Sequence, residues 1–290
     1  MKVTVAKSAG FCFGVKRAVG MAYREAEKAA ENGRSVYTLG PVIHNEYVVD
    51  DLAGKGVRIL DESLKIADTG EIPEDSAVVI VRSHGITEKM HRELKSRGWT
   101  IADATCPFVQ KIHKIVSEKS RAGYPVIIIG SPEHPEVQGI RGWVHGPCAV
   151  VGCREDAEQL NLPREKEVCV VSQTTFNFNK FQELVEIIES LGYHVMVTNT
   201  ICNATQERQG EAMELARQSD LMIVIGGRSS SNTQKLYEIC RSECKDTYYI
   251  QTPDDLAAVC FHSDSCVGIT AGASTPNTII QEVSLRCQKN

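Results

Sequence analysis

The chain has 290 residues, 42% of them hydrophobic and 24% charged, which is enough apolar material for a sizeable core spread over two or three domains. A formal charge of −5 with no basic stripe argues against nucleic acid as a partner. No apolar run approaches the roughly 18 residues of a membrane span, and Lys7, Lys16 and Arg17 interrupt any secretory segment. We therefore expect a cytoplasmic protein whose eleven cysteines stay reduced, for packing, metal binding or catalysis.

The first landmark is Ala9-Gly10-Phe11-Cys12-Phe13-Gly14-Val15-Lys16-Arg17, a cysteine set between aromatics and glycines. A helix is predicted directly after it, from about Val15 to Asn32, with an alanine- and valine-rich stripe and Gly33 as its cap. The strand Val36–Leu39 then stops at Gly40-Pro41, just before His44 and Asn45. A short helix over about Glu46–Ala53 leads to the strand Val57–Leu60. Ala77–Val81 is apolar throughout, as in a strand buried on both faces. It ends in Arg82-Ser83-His84-Gly85, and Thr87 caps the next helix.

The second third follows the same order. Ala104-Thr105-Cys106-Pro107 opens a helix with Val109, Ile112, Ile115 and Val116 inward, ended by Gly123. A buried strand over Pro125–Ile129 leads into the loop Glu133-His134-Pro135-Glu136. A second strand, Val168–Val171, runs into Ser172-Gln173-Thr174-Thr175 and then a helix with Phe178, Phe181, Leu184, Val185 and Ile188 on one face. In the last third, Ile201-Cys202-Asn203-Ala204-Thr205 opens a helix reaching about Gln218. The strand Leu221–Ile225 precedes Ser230-Ser231-Asn232, and the strand Cys266–Thr270 precedes Ser274, with Pro276 suited to the first turn of a closing helix.

This is a repeat. Cys12, Cys106 and Cys202 stand 94 and 96 residues apart. His44, His134 and Ser230 follow their cysteines by 32, 28 and 28 residues; His84, Thr174 and Ser274 follow by 72, 68 and 72. Strands alternating with helices imply parallel α/β units, and in such sheets ligands bind beyond the C-terminal strand ends, where these clusters belong. The expectation is three α/β domains with their functional ends at a common centre.

Eight of the cysteines read as packing residues, since free cysteine is a good small buried side chain. Cys240 and Cys244, four apart, lack a matching second pair for a metal site. Cys12, Cys106 and Cys202 differ: they occupy equivalent positions at helix starts, where dipole and free N–H groups favour thiolate. Three converging thiolates suggest a metal centre with an open position, either zinc with water or a three-cysteine [4Fe–4S] cluster. His44, His84 and His134 read as turn residues singly and as ligand contacts when taken as a repeat-related set. Ser230, Ser231, Asn232 and Ser274 read as helix caps or as anion donors, and both can hold at once. No GxxxxGK[ST] or GxGxxG run occurs, so the donors suit a small phosphate ester or diphosphate rather than a mononucleotide or dinucleotide site. Glu136 is the one carboxylate in the clusters suited to proton transfer, and Thr174 could relay a proton or hold a substrate hydroxyl.

Together these motifs, with Gly40-Pro41-Val42-Ile43-His44-Asn45 and Thr270-Ala271-Gly272-Ala273-Ser274, resemble the LytB/IspH family, the 4-hydroxy-3-methylbut-2-enyl diphosphate reductases. They span residues 9 to 276; a departure is Ser229, where Asn is more usual. The resemblance implies a monomeric trefoil of three pseudo-threefold-related α/β domains with parallel-rich sheets around a central iron–sulfur cluster. The domains would be 1–103, joined by the C-terminal segment 275–290, then 104–199 and 200–274. It implies one [4Fe–4S] cluster held by Cys12, Cys106 and Cys202, with one open iron for the substrate hydroxyl oxygen. His44, His84, His134, Ser230, Ser231, Asn232 and Ser274 would bind the diphosphate, Glu136 and His134 would serve proton delivery, and Thr174 would sit near the hydroxymethyl group. A ferredoxin or flavodoxin would supply electrons. A non-turnover iron–sulfur sensor and a zinc hydrolase are the rival readings.

Overall fold

Short hydrophobic strands of three to six residues set the architecture. The structure, a computed structural model, describes residues 1–61 and 77–289. In chain order the elements are β1 (Lys2–Val5), α1 (Phe13–Asn32), β2 (Ser35–Leu39), α2 (Glu46–Gly54), β3 (Val57–Leu60), β4 (Ala77–Val81), α3 (Glu88–Ser96) and β5 (Thr100–Asp103). Next come α4 (Pro107–Arg121), β6 (Val126–Ile129), α5 (Pro135–Arg141), β7 (Cys148–Val151), α6 (Arg154–Glu158), β8 (Val168–Ser172), α7 (Phe178–Ser190) and β9 (Val195–Val197). The chain ends with α8 (Asn203–Arg217), β10 (Leu221–Ile225), α9 (Ser231–Glu243), β11 (Thr247–Ile250), a 3-10 turn over Pro253–Ala258, β12 (Cys266–Ala271) and α10 (Asn277–Lys289).

Among the described residues the strands form three four-stranded sheets, ordered β3-β2-β4-β5, β7-β6-β8-β9 and β1-β12-β10-β11. Every pairing is parallel. The chain divides into two compact units, one of Met1–Lys16, His44–Tyr47 and Cys202–Asn290, the other of Arg17–Ile43 and Val48–Ile201. The first unit holds the sheet containing β12, and the second holds the other two.

Burial on both faces explains the apolar runs. Ile127 and Ile129 of β6 pack with Val168, Val170, Phe181, Leu184 and Ile188 on one side. Val126 and Ile128 pack with Ile112, Val116, Val137 and Ile140 on the other. β10 divides in the same way: Ile223 and Ile225 join one cluster, Met222 and Val224 another. Each such side chain contributes about 1.5–3 kcal/mol over leaving it in water.

The sheet order decides where a ligand can sit. In two sheets the central strands lead outward to opposite edges, and in the third β10 leads to one edge while β12 is flanked by β1 at the other, so the switch point lies between β2 and β4, between β6 and β8, and between β10 and β12. These six strands are the ones followed by the six polar clusters. A crevice beyond the carboxyl ends of such a strand pair is where open parallel sheets bind ligands.

Two features differ from the sequence reading. Residues 1–103 do not share one sheet: β1 pairs with β12, in the register Lys2↔Cys266 to Val5↔Ile269. The closing helix is on that sheet too, since Ile280, Val283 and Cys287 share a core with Val3, Val5 and Ile269, so segment 275–290 packs with the last sheet and not the first. The reason is local: Val3 and Val5 alternate with solvent-facing residues and need an apolar helix stripe to cover them. The second feature is α5, which takes the place of the loop expected at His134 to Glu136.

Candidate active site

In the unit that holds β6 and β8, local geometry places an acid. His134 sits in extended backbone (φ −73, ψ 133) and caps α5: its Nδ1 accepts the Glu136 N–H at 3.1 Å, and Pro135 takes the first helical position, where no N–H is needed. Glu136 is thereby turned inward and is 2% exposed. Its Oε1 accepts the Thr174 N–H at 2.6 Å, and its Oε2 accepts the Thr174 hydroxyl at 2.7 Å. Burial raises the Glu136 carboxyl to about 7, against the lowering effect of the two Thr174 bonds. Thus Glu136, after β6, and Thr174, after the neighbouring β8, form one buried pair that can hold or release a proton near neutral pH. His84, after β4, packs edge-on to His134 with ring centroids 5.4 Å apart.

Cys106 in the same unit is fixed by backbone contacts. Its N–H donates to Ser83 O at 3.0 Å, Arg17 donates to the carbonyls of Thr105 and Asp103 at 3.1 Å each, and the Asp103 carboxylate accepts the Thr105 N–H at 2.9 Å. The Ser83-His84-Gly85 turn lies against His113, and a Cβ on Gly85 (φ +74) would come within 2.6 Å of that ring. His113 is buried and its pKa is lowered by that burial to about 4, with Asp103 opposing, so the ring behind the turn is neutral.

The other unit supplies neutral donors. Ser230 caps α9, its Oγ accepting the Thr233 N–H at 3.3 Å and the Thr233 hydroxyl at 2.9 Å. The Ser274 hydroxyl donates to His44 O at 3.1 Å and lies 3.4 Å from Ser230 Oγ. Gly227 permits this closeness, since a Cβ there would meet His44 O at 2.8 Å. Asn232 is 4% exposed, and among the described residues neither its Oδ1 nor its Nδ2 has a hydrogen-bond partner. A buried amide left unpaired costs about 1–3 kcal/mol. A buried, unpaired amide in the first turn of α9, at the positive end of the helix, is the chemistry of a site for an anion. Ser231 is half-buried in the same turn.

Most of the cysteines fall into two kinds; Cys153 and Cys260, expected to be packing residues, are instead exposed. Cys240 is fully buried with its thiol pushed up to about 12 by burial; burial likewise raises Cys148 and Cys287 to about 11. These are packing thiols. Cys12, Cys106 and Cys202 are half-buried and free of disulfides. Cys106 and Cys202 occupy N-cap positions without a side-chain capping bond, so neither sulfur serves the cap. Cys202 Sγ lies 3.0 Å from the Thr205 hydroxyl. Half-exposed thiols at helix starts are the kind of donor a soft metal takes. Sequence reading gave no role to Arg208 and Glu211, whose side chains bond the backbone of the loop before Cys12, nor to Gln173 and Thr233. Nothing in the local pattern marks them apart from other helix or loop residues.

The sequence model of the LytB protein family matches residues 3–288. The chain belongs to that family. A relative from Caldanaerobacter subterraneus subsp. tengcongensis, a 4-hydroxy-3-methylbut-2-enyl diphosphate reductase, is 44% identical over 98% of this chain and 95% of its own length. One of the same name from Geobacter sulfurreducens is 45% identical over 100% of this chain and 98% of its own. Among solved structures, the E-1-hydroxy-2-methyl-but-2-enyl-4-diphosphate reductase from Plasmodium falciparum matches with a TM-score of 0.88 at 26% identity, covering 100% of this chain and 88% of that one. An (E)-4-hydroxy-3-methyl-but-2-enyl diphosphate reductase described as the terminal enzyme of the non-mevalonate pathway matches with a TM-score of 0.69 at 40% identity, covering both chains fully. Among the described residues, no helix of this LytB chain is long and apolar enough to cross a membrane.

Proposed function

We propose that this chain reduces (E)-4-hydroxy-3-methylbut-2-enyl diphosphate, removing its hydroxyl as water to give isopentenyl and dimethylallyl diphosphate, the last step of the non-mevalonate isoprenoid pathway. The observation that carries the reading is the near-full-length identity, 44–45%, to proteins bearing that name. The reaction consumes two electrons and two protons, one proton leaving with the hydroxyl and one ending on carbon.

One [4Fe–4S] cluster, held by Cys12, Cys106 and Cys202 with one iron left open, supplies when bound the electrons and a Lewis acid for the substrate hydroxyl. The donor set supports it: three half-buried cysteines outside any disulfide, since all-sulfur ligation suits iron–sulfur clusters. His44, His84, His134, Ser230, Ser231, Asn232 and Ser274 hold the diphosphate. The unpaired Asn232 amide and the first turn of α9 supply donors that cost no rearrangement on binding. Glu136, poised near 7, delivers the proton; His134 holds it at the head of α5, and Thr174 sets its rotamer and lies near the hydroxymethyl group. The electrons come from a small ferredoxin or flavodoxin, and the chain works as a cytoplasmic monomer.

The test is anaerobic oxidation of a reduced viologen dye by purified, iron-loaded protein, with and without the hydroxymethylbutenyl diphosphate. Substrate-dependent oxidation yielding the two five-carbon diphosphates is expected. No oxidation, in protein carrying four irons and four sulfides, would overturn the substrate assignment.

A further inference from the structure

Arg208 lies in the second turn of α8, the helix that Cys202 opens, and it is 3% exposed. A buried guanidinium is expensive unless its donors and charge are met. Its donors reach the loop that leads to Cys12: Nε bonds Ser8 O at 2.9 Å, and Nη2 bonds both Ser8 O and Gly10 O, the latter at 2.8 Å. Glu211, one turn on, grips the same loop from its other side. Its Oε1 accepts the Lys7 N–H at 2.7 Å, and its Oε2 accepts the Ser8 N–H at 2.8 Å together with the Ser8 hydroxyl. The loop has little freedom at Gly10 (φ +98), where a Cβ would meet Asn277 Oδ1 at 2.6 Å.

The charge around Arg208 is as specific as its bonds. Burial lowers the guanidinium's pKa; the opposing influences are the Cys12 thiol, the Cys202 thiol and Glu211, in that order. Arg208 stands on the helix that Cys202 opens and bonds Gly10 O, two residues before Cys12, so its charge is placed next to both candidate ligands. Hydrogen bonds to loop carbonyls alone could be made by water or by a neutral side chain, and they do not require a cation.

We infer that Arg208 and Glu211 form a clamp that fixes Cys12 against Cys202, and that Arg208 places a permanent positive charge beside these two sulfurs, biasing the centre they hold toward its reduced, more negative state. The inference rests on the proposal that these cysteines ligate a cluster. Both are positioning residues, and neither is required to touch substrate.

Anaerobic potentiometric titration with viologen mediators, alongside iron retention under a chelator, tests it on the iron-loaded wild type, R208M, R208K and E211Q. R208M is expected to lower the one-electron reduction constant about tenfold, about 59 mV, and to shed iron faster. R208K keeps the charge but lacks the Nε that makes the second bond to Ser8 O, so it should hold the wild-type potential and still shed iron faster, by about tenfold on the loss of one charge-assisted bond. E211Q should also shed iron faster, without a fall in potential. An R208M protein at the wild-type potential overturns the charge assignment. R208K and E211Q proteins that keep iron as long as the wild type overturn the clamp, and they decide it even if R208M does not fold. A wild-type protein that takes up no iron and sulfide would instead sink the cluster reading beneath both.

Discussion

The ends of β6 and β8 and the ends of β10 and β12 are topologically the same place, yet they hold opposite chemistry. At the first, a carboxyl is sealed from water and met by two Thr174 donors, so its charge is in question near neutral pH. At the second, the groups are hydroxyls and an amide, none of which titrates in that range, and the amide is left unpaired. One strand-pair end is built to change its protonation, and the other is built to stay constant and donate. Parallel sheets provide the crevice at both, and a few side chains after each strand decide what the crevice does.

The sharpest way to break this comparison is at Glu136. A Glu136→Gln protein can keep both contacts, because the Gln oxygen accepts the Thr174 N–H while the Thr174 hydroxyl turns to accept from the Gln amide. The fold and substrate affinity should survive, and turnover should fall by about 10²–10⁴, the usual worth of a positioned proton donor. A steady-state comparison of kcat and KM checks this. An equal loss spread over KM would make Glu136 a binding group.

The second test uses pH. The Glu136 pKa is raised in the folded protein, to about 7 from 4.5, so the folded state keeps a proton that the unfolded chain releases. Wild-type stability should therefore fall relative to E136Q as pH rises from the unfolded value through about 7, and then level off. The full difference is on the order of 3 kcal/mol. Urea midpoints of the two proteins at pH 5 and pH 8 read it, and a gap that does not widen with pH would place the proton elsewhere.

Much of this contrast was legible in the sequence, because the signals were periodic or local. Apolar runs such as Ala77–Val81 and Leu221–Ile225 announced the central strands, and the spacing from Cys12, Cys106 and Cys202 announced the repeat. Val57–Leu60 was the one edge strand legible in advance; Cys148–Val151, Val195–Val197 and Thr247–Ile250 were not, because they are short and half-buried and lack a continuous apolar run. The place of β1 was hidden for another reason, since its partner β12 lies more than 260 residues away and pairing at that distance leaves no local mark. Glu136 could be named from its neighbours, but its burial depends on α5 turning it toward Thr174, 38 residues on. Arg208 gave no signal, because an arginine in the second turn of a helix is ordinarily solvated.

Asn232 gives the smallest and most diagnostic effect. If its unpaired amide is held for an anion, Asn232→Leu removes a group that costs the free protein about 1–3 kcal/mol and replaces it with one the surroundings tolerate. The free protein should then be at least as stable as the wild type, while KM for the diphosphate rises about tenfold and kcat changes little. Binding and stability would move in opposite directions, as expected when a fold keeps a buried polar group for its ligand. Ser274→Ala should behave differently, because Ser274 already bonds His44 O within the unit. There, stability and affinity should fall together, each by a factor of a few. If Asn232→Leu instead destabilises the free protein as Ser274→Ala does, the amide is a structural group, and the donors for the diphosphate must be sought at the first turn of α9 and in the histidines.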